Sequence, residues 1–303
     1  MKLTPVKHVK ITKNLKVSEL VKQMKGTAHN ARALAEAVEI LFQAKKENCK
    51  LFVGMAGALV PGGMKQIIID MLDKRIIDVF VTTGANLTHD LIEALGFKHY
   101  QGNEQDDVEL HKKELDRIYN VFMPNKVYIA LEKWFTKNFD KLNAETNLEF
   151  LWNIGKLLKK NSILASCYKN KIPVFCPALS DSGIGLMIWN IILKKKKPLM
   201  NEYQDLNKML ELAWYKKKAV FYVGGGTPKN YIQQAMQFSK PALYGVQITT
   251  DEPSFGGSSG ASLKEGISWG KMSEKGKFVD IRCDATIALP LTYAALIDRL
   301  EKL

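Results

Sequence analysis

The feature that most constrains the fold is a repeated order of segments, in which a short apolar run precedes a polar turn and an amphipathic helix. IIDVFVTTGANLTHDLIEALG and KKAVFYVGGGTPKNYIQQAMQFSK both show this order, with strands predicted to end at Val81 and Val223. Buried apolar strands that alternate with helices specify a mainly parallel sheet with helices on both faces. The sequence therefore predicts an α/β fold with a doubly wound, Rossmann-like sheet.

Other stretches extend the same pattern. CKLFVGMAGAL and KIPVF read as strands, each followed by a helix, while ALYGVQITTD and KFVDIRCDATIALPLTYAALIDRLEKL add two strands and a closing helix. Residues 17–47 have helical spacing, which predicts two helices broken near Gly26. No stretch rich in Pro, Gly and Ser divides the chain, so we expect a single domain over residues 1–303 that includes these N-terminal helices.

Composition excludes several classes of protein. No apolar run approaches the roughly 20 residues of a membrane span, and the N-terminus lacks an apolar signal segment. The four cysteines lie far apart in the sequence, without metal-ligand spacing. We therefore expect a cytoplasmic protein with reduced thiols and no metal site.

The formal charge of +13 comes mostly from lysines spread along the chain. Arginine, the usual reader of bases, is scarce, so a nucleic-acid partner is not favoured. The densest basic run, LKKKKPL, is interpreted as a helix end closed by Pro198. An acidic protein partner stays open on the same charge argument.

Two glycine-rich loops are predicted at the carboxyl edge of the sheet. VGGGTPKN has three glycines before a helix start, where backbone N–H groups are able to cradle a diphosphate; a tight turn without a ligand is the alternative. PSFGGSSGASLKEGISWGK is too long for a simple turn, which favours a functional loop over a surface linker.

Lys271 follows this second loop, two residues after Trp269. A lysine becomes a nucleophile at neutral pH when desolvation or a neighbouring charge lowers its pKa, and an apolar indole supplies such a setting. The alternative is an ordinary surface lysine beside a packed tryptophan.

The motifs GGSSGA, GISWGK and DATIALPL, preceded by CPALSDSGIG and GGGTPKN, resemble the deoxyhypusine synthase family in order and spacing. The similarity runs from about residue 17 to the C-terminus. It implies that Lys271 forms a covalent imine with a butylamine unit taken from a polyamine, that NAD accepts and returns a hydride, and that the chain assembles as a homotetramer.

The resemblance also implies further site residues. Trp269, Ser258, Leu186 and Glu265 would contact the polyamine, where an aromatic face suits a cation. Asp284 is suited to a ribose hydroxyl, or else to capping the helix that follows. The positions implied to bind NAD are Thr82, Thr83, Asp181, Gly224, Gly225, Thr250, Gly256, Ser259, Asp284 and Ala285.

The chain departs from the family where the amine would bind. His89, Leu186, Ser258 and Phe255 stand at positions that are acidic in the synthases. Asn230 stands where they carry a catalytic histidine, and an amide cannot accept a proton near neutral pH. His89 is a candidate replacement base, with a structural hydrogen-bonding role as the alternative.

These departures favour the deoxyhypusine synthase-like branch, which makes small polyamines. Our first hypothesis is therefore an NAD-dependent transferase that moves an aminobutyl or related group between small amines. The second is a true deoxyhypusine synthase that transfers the aminobutyl group of spermidine to a lysine of the hypusine-containing translation factor. The third is a non-catalytic NAD-binding protein.

Overall fold

The computed structural model describes residues 3–103, 105–158, 161–195 and 200–302. Short 3-10 helices occur at Phe139–Leu142, Pro253–Phe255 and Leu263–Ile267. The α-helices, numbered in chain order, are α1 Val17–Met24, α2 His29–Lys46, α3 Lys65–Asp73, α4 Gly84–Ala94, α5 Asp107–Lys112, α6 Lys126–Asn138, α7 Asn147–Leu158, α8 Ile163–Asn170, α9 Gly183–Lys195, α10 Glu202–Ala213, α11 Gly226–Gln237 and α12 Ala285–Leu300.

The strands are short, and the longest of them lie in the last third of the chain. They are β1 Lys50–Met55, β2 Val79–Thr82, β3 Tyr100–Gln101, β4 Leu115–Ile118, β5 Val121–Pro124, β6 Val174–Phe175, β7 Lys218–Val223, β8 Ala242–Thr249 and β9 Met272–Arg282. The chain divides into two compact units, residues 56–208 and the remainder. The expectation of a single domain stays a prediction.

The first unit, residues 1–55 and 209–303, is built on four parallel strands. β1 pairs with β7, β7 with β8 and β8 with β9. Every residue of β7 is buried, as a strand covered on both faces requires. Helices α2, α11 and α12 pack against these strands. The predicted α/β class, a parallel sheet flanked by helices, is confirmed.

The second unit, residues 56–208, contains a parallel pair, β2 with β6, and a three-stranded antiparallel sheet in the order β3-β5-β4. Helices α7 and α8 pack against each other, and α4 packs against α8 and α9. The sequence did not predict the antiparallel sheet, because its strands have two to four residues and neither β3 nor β4 has a buried residue.

Asp90 on α4 is fully buried and caps the N-terminus of α8. Its carboxylate accepts hydrogen bonds from Ser162 Oγ at 2.7 Å and from the Ile163 backbone N–H at 3.0 Å. Lys65 Nζ lies 3.1 Å from the same carboxylate. A buried charge needs such partners, so Asp90 supplies both a helix cap and a buried ion pair.

Most predicted element boundaries agree with the structure. The strands predicted to end at Val81, Phe175 and Val223 end within one residue of those positions, and α1 and α2 flank Gly26. Helix α11 begins at Gly226, so Pro228 lies in its first turn. The end of the LKKKKPL run, residues 196–199, lies outside the described residues.

Among the described residues, no helix is long and apolar enough to cross a membrane. In the part of the chain that the structure describes, the cysteines form no disulfide bond. Burial raises the pKa of Cys176 to about 12, so its thiol is a poor nucleophile.

Candidate active site

A tight turn fixes the backbone of Lys271 at the start of β9. Gly270 has a φ of 70°, in the left-handed region that favours glycine. The N–H of Lys271 donates to the carbonyl of Gly266 at 2.9 Å, and its carbonyl accepts from Ala242 at 3.1 Å. The turn therefore ends at Lys271, and the residue is held on both sides.

The side chain of Lys271 lies over an exposed indole. Its Nζ atom is 4.9 Å from the centre of the Trp269 ring, which is within cation–π range. Both residues line a cavity of about 310 Å³. The cavity is also lined by Lys229, Asn230, Gln233, Gln234, Gly256, Ser258, Ala261, Ser262, Leu263, Glu265 and Gly266.

This cavity brings together the predicted catalytic and amine-binding residues of the first unit. Glu265 contributes its carboxylate, and Asn230 and Ser258 contribute neutral polar groups. Phe255, by contrast, is 76% exposed and does not line the cavity. The described residues that line the cavity thus include the Glu265 carboxylate, the Trp269 ring and the Lys271 amine.

Buried side chains hold the glycine and serine loop over the cavity. Lys229 Nζ donates to the carbonyls of Ser258 and Ala261, at 2.6 and 2.7 Å. Gln247 Nε2 donates to the carbonyl of Ser259 at 2.7 Å. These bonds tie the loop to α11 and β8, which disfavours its interpretation as a surface linker.

Lys229 was not singled out from the sequence. It is 4% exposed, and burial lowers its pKa to about 8, although Asp280 and Glu265 oppose the shift. Because the chain has so many lysines, composition did not distinguish Lys229 from the others. The available signal was its position in the first turn of a helix that follows a glycine loop.

The triple glycine packs against the same loop. Gly224 and Gly226 have φ values of 73° and 53°, and a Cβ atom on Gly225 would lie 2.4 Å from Ser259 Cα. The Gly224 N–H donates to the Ile248 carbonyl, and the Gly226 N–H donates to Ser259 Oγ. Two of the three amides are thus bonded within the protein, and Gly225 permits close approach of the loop.

Open space lies beside three glycines of these turns. A Cβ atom added at Gly226, Gly256 or Gly257 would meet nothing within 4 Å. Gly256 has a φ of 73°, so a bare backbone faces this space. These open glycine positions fit the close approach of a phosphate group to the backbone.

Asp284 caps α12, as one of the two interpretations of its sequence expected. Its Oδ1 atom accepts from the Thr286 N–H at 2.8 Å and from the Thr286 hydroxyl. Asp284 is exposed, as is Thr250 after β8, and Ala285 begins α12. A role for these three residues in binding NAD stays a prediction.

In the second unit, the predicted NAD residues lie on two adjacent turns. Thr83 caps α4 by accepting from the Asn86 N–H, while Thr82 is buried and accepts from the Asn86 side chain. The turn packs against the loop that contains Asp181, because a Cβ at Gly84 would lie 2.4 Å from Ser182 Cβ. The structure therefore brings Thr82 and Thr83 to the same part of this unit as Asp181.

Leu186 and His89 also belong to this unit, on α9 and α4. Leu186 is 58% exposed, without a polar group to offer an amine. His89 is half-buried, and burial together with His99 lowers its pKa to about 4, against the opposing charge of Glu93. His89 is therefore uncharged at neutral pH, as a general base must be.

His89 is the first member of a hydrogen-bonded chain. Its Nδ1 atom lies 2.9 Å from His99 Nε2, and His99 Nδ1 lies 2.8 Å from Glu93 Oε1. Lys65 Nζ lies 3.4 Å from the other oxygen of Glu93. His99 and Glu93 were not identified from the sequence, although Glu93 is four residues after His89 on the same helix face.

The family pattern and the curated relatives agree on one family. The sequence pattern of the family described as deoxyhypusine synthase matches residues 19–296. A protein named "Probable deoxyhypusine synthase 1" from Methanosarcina mazei is 42% identical, over 99% of this chain and 96% of that protein. The protein of the same name from Archaeoglobus fulgidus is 40% identical, over 95% and 96%.

A solved structure has a similar fold. It is a protein from Entamoeba histolytica with a provisional deoxyhypusine synthase assignment, and it superposes with a TM-score of 0.64. The match covers 94% of each chain at 16% sequence identity, so it supports the fold alone.

Proposed function

The chain belongs to the deoxyhypusine synthase family, whose reaction is aminobutyl transfer, and from this premise we propose that it is an NAD-dependent synthase acting on spermidine. The acceptor would be a lysine of the hypusine-containing translation factor. The names of the relatives favour this acceptor over the small amines that the sequence departures first suggested. The observation that carries the proposal is the position of Lys271 Nζ, 4.9 Å from the Trp269 ring centre in a cavity that Glu265 also lines.

The cavity residues suit a polyamine. An ammonium group is costly to bury without a partner, and the Glu265 carboxylate and the Trp269 ring face both attract a cation. The aliphatic segments between the nitrogens would pack against apolar atoms of Leu263 and Trp269. We infer that Glu265 binds one nitrogen and that Trp269 orients the chain beside Lys271.

NAD, held by the glycine turns at Gly224–Gly226 and Gly256, would supply hydride removal from the carbon beside the secondary amine and the later return of that hydride. The Lys271 amine forms a bond to that carbon, and the bond from the carbon to the departing amine breaks. The acceptor amine then bonds to the same carbon and releases Lys271. Each exchange makes one C–N bond and breaks one, so the lysine is regenerated.

Asn230 lines the cavity, where it donates or accepts hydrogen bonds without taking up a proton at neutral pH. We therefore retain the sequence-based hypothesis that His89 is the base of the reaction. The homotetramer that the resemblance implies and the cytoplasmic location expected from composition are part of the proposal. Light scattering that gave the mass of one chain would contradict the tetramer.

A specific observation favours a second candidate function. Among the described residues that line the cavity, Glu265 is the acidic one, and Ser258 is neutral. Fewer carboxylates suit a smaller or less charged amine. The second candidate is therefore transfer to a small amine acceptor, with no protein substrate.

The test is borohydride trapping with NAD and spermidine, followed by peptide mapping by mass spectrometry. We expect an aminobutyl adduct on Lys271, its loss in Lys271→Ala, and its retention in the matched control Lys275→Ala, which removes an exposed lysine of the same segment. An adduct on another lysine, or unchanged product formation by Lys271→Ala, would contradict the imine mechanism.

The acceptor is identified in a second assay that supplies the purified translation factor, putrescine or agmatine in separate reactions. Labelled aminobutyl transfer to the translation factor alone supports the first function. Transfer to putrescine or agmatine without a protein supports the second. Absence of transfer to all three, in protein that binds NAD, would exclude both.

A further inference from the structure

His89, His99 and Glu93 form a hydrogen-bonded relay, and Glu93 determines which atom donates in each of its hydrogen bonds. Burial tends to raise the pKa of Glu93, but the hydrogen bond from His99 and the charge of Lys65 outweigh it, so the pKa lies below its usual value. Glu93 is therefore an ionised carboxylate at neutral pH and only accepts hydrogen bonds. His99 Nδ1, 2.8 Å from Glu93 Oε1, must be the donor.

The protonation of His99 then determines which nitrogen donates between the rings of His99 and His89. In neutral imidazole one nitrogen carries the proton and the other accepts. When neutral His99 uses its Nδ1 proton for Glu93, its Nε2 atom is the acceptor, so His89 Nδ1 must donate across the 2.9 Å that separates them. His89 is then left with an unprotonated Nε2.

Burial and ion pairs restrict the positions of the His89, His99 and Glu93 side chains. The side chain of His99 is 5% exposed, and the two rings meet edge to face with centres 4.9 Å apart. Lys65 on α3 pairs with Glu93 and also with Asp90, which is fully buried. In the part of the chain that the structure describes, no hydrogen bond to His89 Nε2 is present, so this atom is available.

We propose that His99 and Glu93 are positioning residues that fix the tautomer of His89 and leave its Nε2 atom as the proton acceptor. The geometry also defines the opposite state, because a protonated His99 would donate from Nε2 and force the His89 proton onto Nε2. The relay thus transmits the protonation state of His99 to the outer nitrogen of His89.

The use of this nitrogen rests on the proposed function. When an amine attacks carbon, its N–H bond breaks, the electron pair remains on nitrogen and the proton moves to an acceptor. His89 Nε2 would accept that proton and become part of an imidazolium, whose charge the Glu93 carboxylate stabilises through His99. This arrangement resembles in logic the orientation of a catalytic histidine by a buried carboxylate.

The tautomer is measured by NMR on the whole protein labelled with ¹⁵N-histidine. His89 is assigned by loss of its signals in His89→Gln. At pH 8 we expect the proton on Nδ1 of His89. A proton on Nε2 in the unsubstituted protein would overturn the proposal without any variant.

Variants then test the two positioning residues. His99→Phe removes the acceptor of His89 Nδ1, and Glu93→Ala removes the acceptor of His99, so we expect part of the His89 population to shift its proton to Nε2 in both. His99→Gln should keep the Nδ1 proton, because its amide is able to donate to Glu93 and accept from His89. His111→Phe, which removes an exposed histidine, is the matched control and should leave the His89 signals unchanged.

An unchanged His89 tautomer in His99→Phe and Glu93→Ala would also overturn the proposal. These readouts do not require turnover, so they are independent of the proposed function. If aminobutyl transfer occurs, the pH profile of kcat should change in His99→Phe and be restored in His99→Gln. A fixed tautomer without any transfer activity would leave the relay intact and reject the assigned reaction.

Discussion

Lys229 and Ser258 are joined by a 2.6 Å hydrogen bond from a buried ammonium group to a loop carbonyl. A second bond, of 2.7 Å, joins the same ammonium group to Ala261. Lys229→Met would leave both carbonyls without this donor, so we expect the free energy of unfolding to fall by about 1–3 kcal/mol. Urea denaturation measures the loss, and limited proteolysis should show faster cleavage within residues 253–262.

The matched control is Lys216→Met, which removes an exposed lysine of the same unit and should change stability by less than about 0.5 kcal/mol. Equal stability and equal cleavage in the two variants would show that Lys229 does not hold the loop.

The triple glycine and the loop give a paired substitution test. Gly225→Ala places a methyl group 2.4 Å from Ser259 Cα, which the backbone must move to accommodate. We expect a destabilisation of about 1–3 kcal/mol, measured by thermal unfolding. Gly257→Ala meets no atom within 4 Å and should leave unfolding unchanged. A Gly225→Ala protein as stable as Gly257→Ala would contradict the close approach.

Trp269 should contribute to amine binding through the face of its indole. Trp269→Ala removes a cation–π contact of about 0.5–2 kcal/mol, so we expect KM for the amine donor to rise roughly 2- to 30-fold. Trp269→Phe should recover part of this loss because it retains an aromatic face. Trp214→Ala, which removes another exposed tryptophan, serves as the control. A KM unaffected by Trp269→Ala would remove this residue from the amine site.

The lowered pKa of His89 predicts how the free energy of unfolding depends on pH. Its pKa of about 4 in the folded protein lies below the ordinary value of 6.5, so the unfolded chain binds the proton more readily between these values. Stability should therefore fall as the pH is lowered from 6.5 towards 4, by at most about 1.4 kcal/mol per pH unit. Glu93, whose pKa is lowered, adds a further loss only near and below its usual value of 4.5.

Urea denaturation at intervals between pH 7 and pH 5 measures the contribution of His89 before Glu93 titrates. His89→Gln should reduce the slope, whereas His111→Gln should retain it. The same slope in His89→Gln and the unsubstituted protein would show that His89 is not the titrating group.

The sequence predicted the parallel sheet because buried strands and amphipathic helices leave a strong periodic signal. β7 is an example, with an apolar run ended by glycines. The antiparallel strands gave no comparable signal, since β3 has two exposed residues. Long, buried elements were therefore predictable, and short strands that depend on their neighbours were not.

The residues of the candidate site were also predictable only in part. Lys271 and the glycine loops were found through motifs, and the cavity brings Lys271 together with Trp269 and Glu265. Lys229 and His99 were missed, because their importance comes from burial and from hydrogen-bond partners that only the folded structure identifies. The sequence does not show which lysine or histidine is buried, or which partners it has, because these properties arise only in the folded chain.

Asp90 has a consequence for how the second unit folds. It binds Ser162, 72 residues later in the chain, and thereby closes a long ring that contains α5, α6, α7 and the antiparallel strands. Closing such a ring has a large entropic cost, and contacts between distant residues slow the folding of a domain. Ser162 caps α8 locally, but the bonds from Ser162 Oγ and the Ile163 N–H to Asp90 form only when this ring closes, so we expect the first turn of α8 to be completed late in folding.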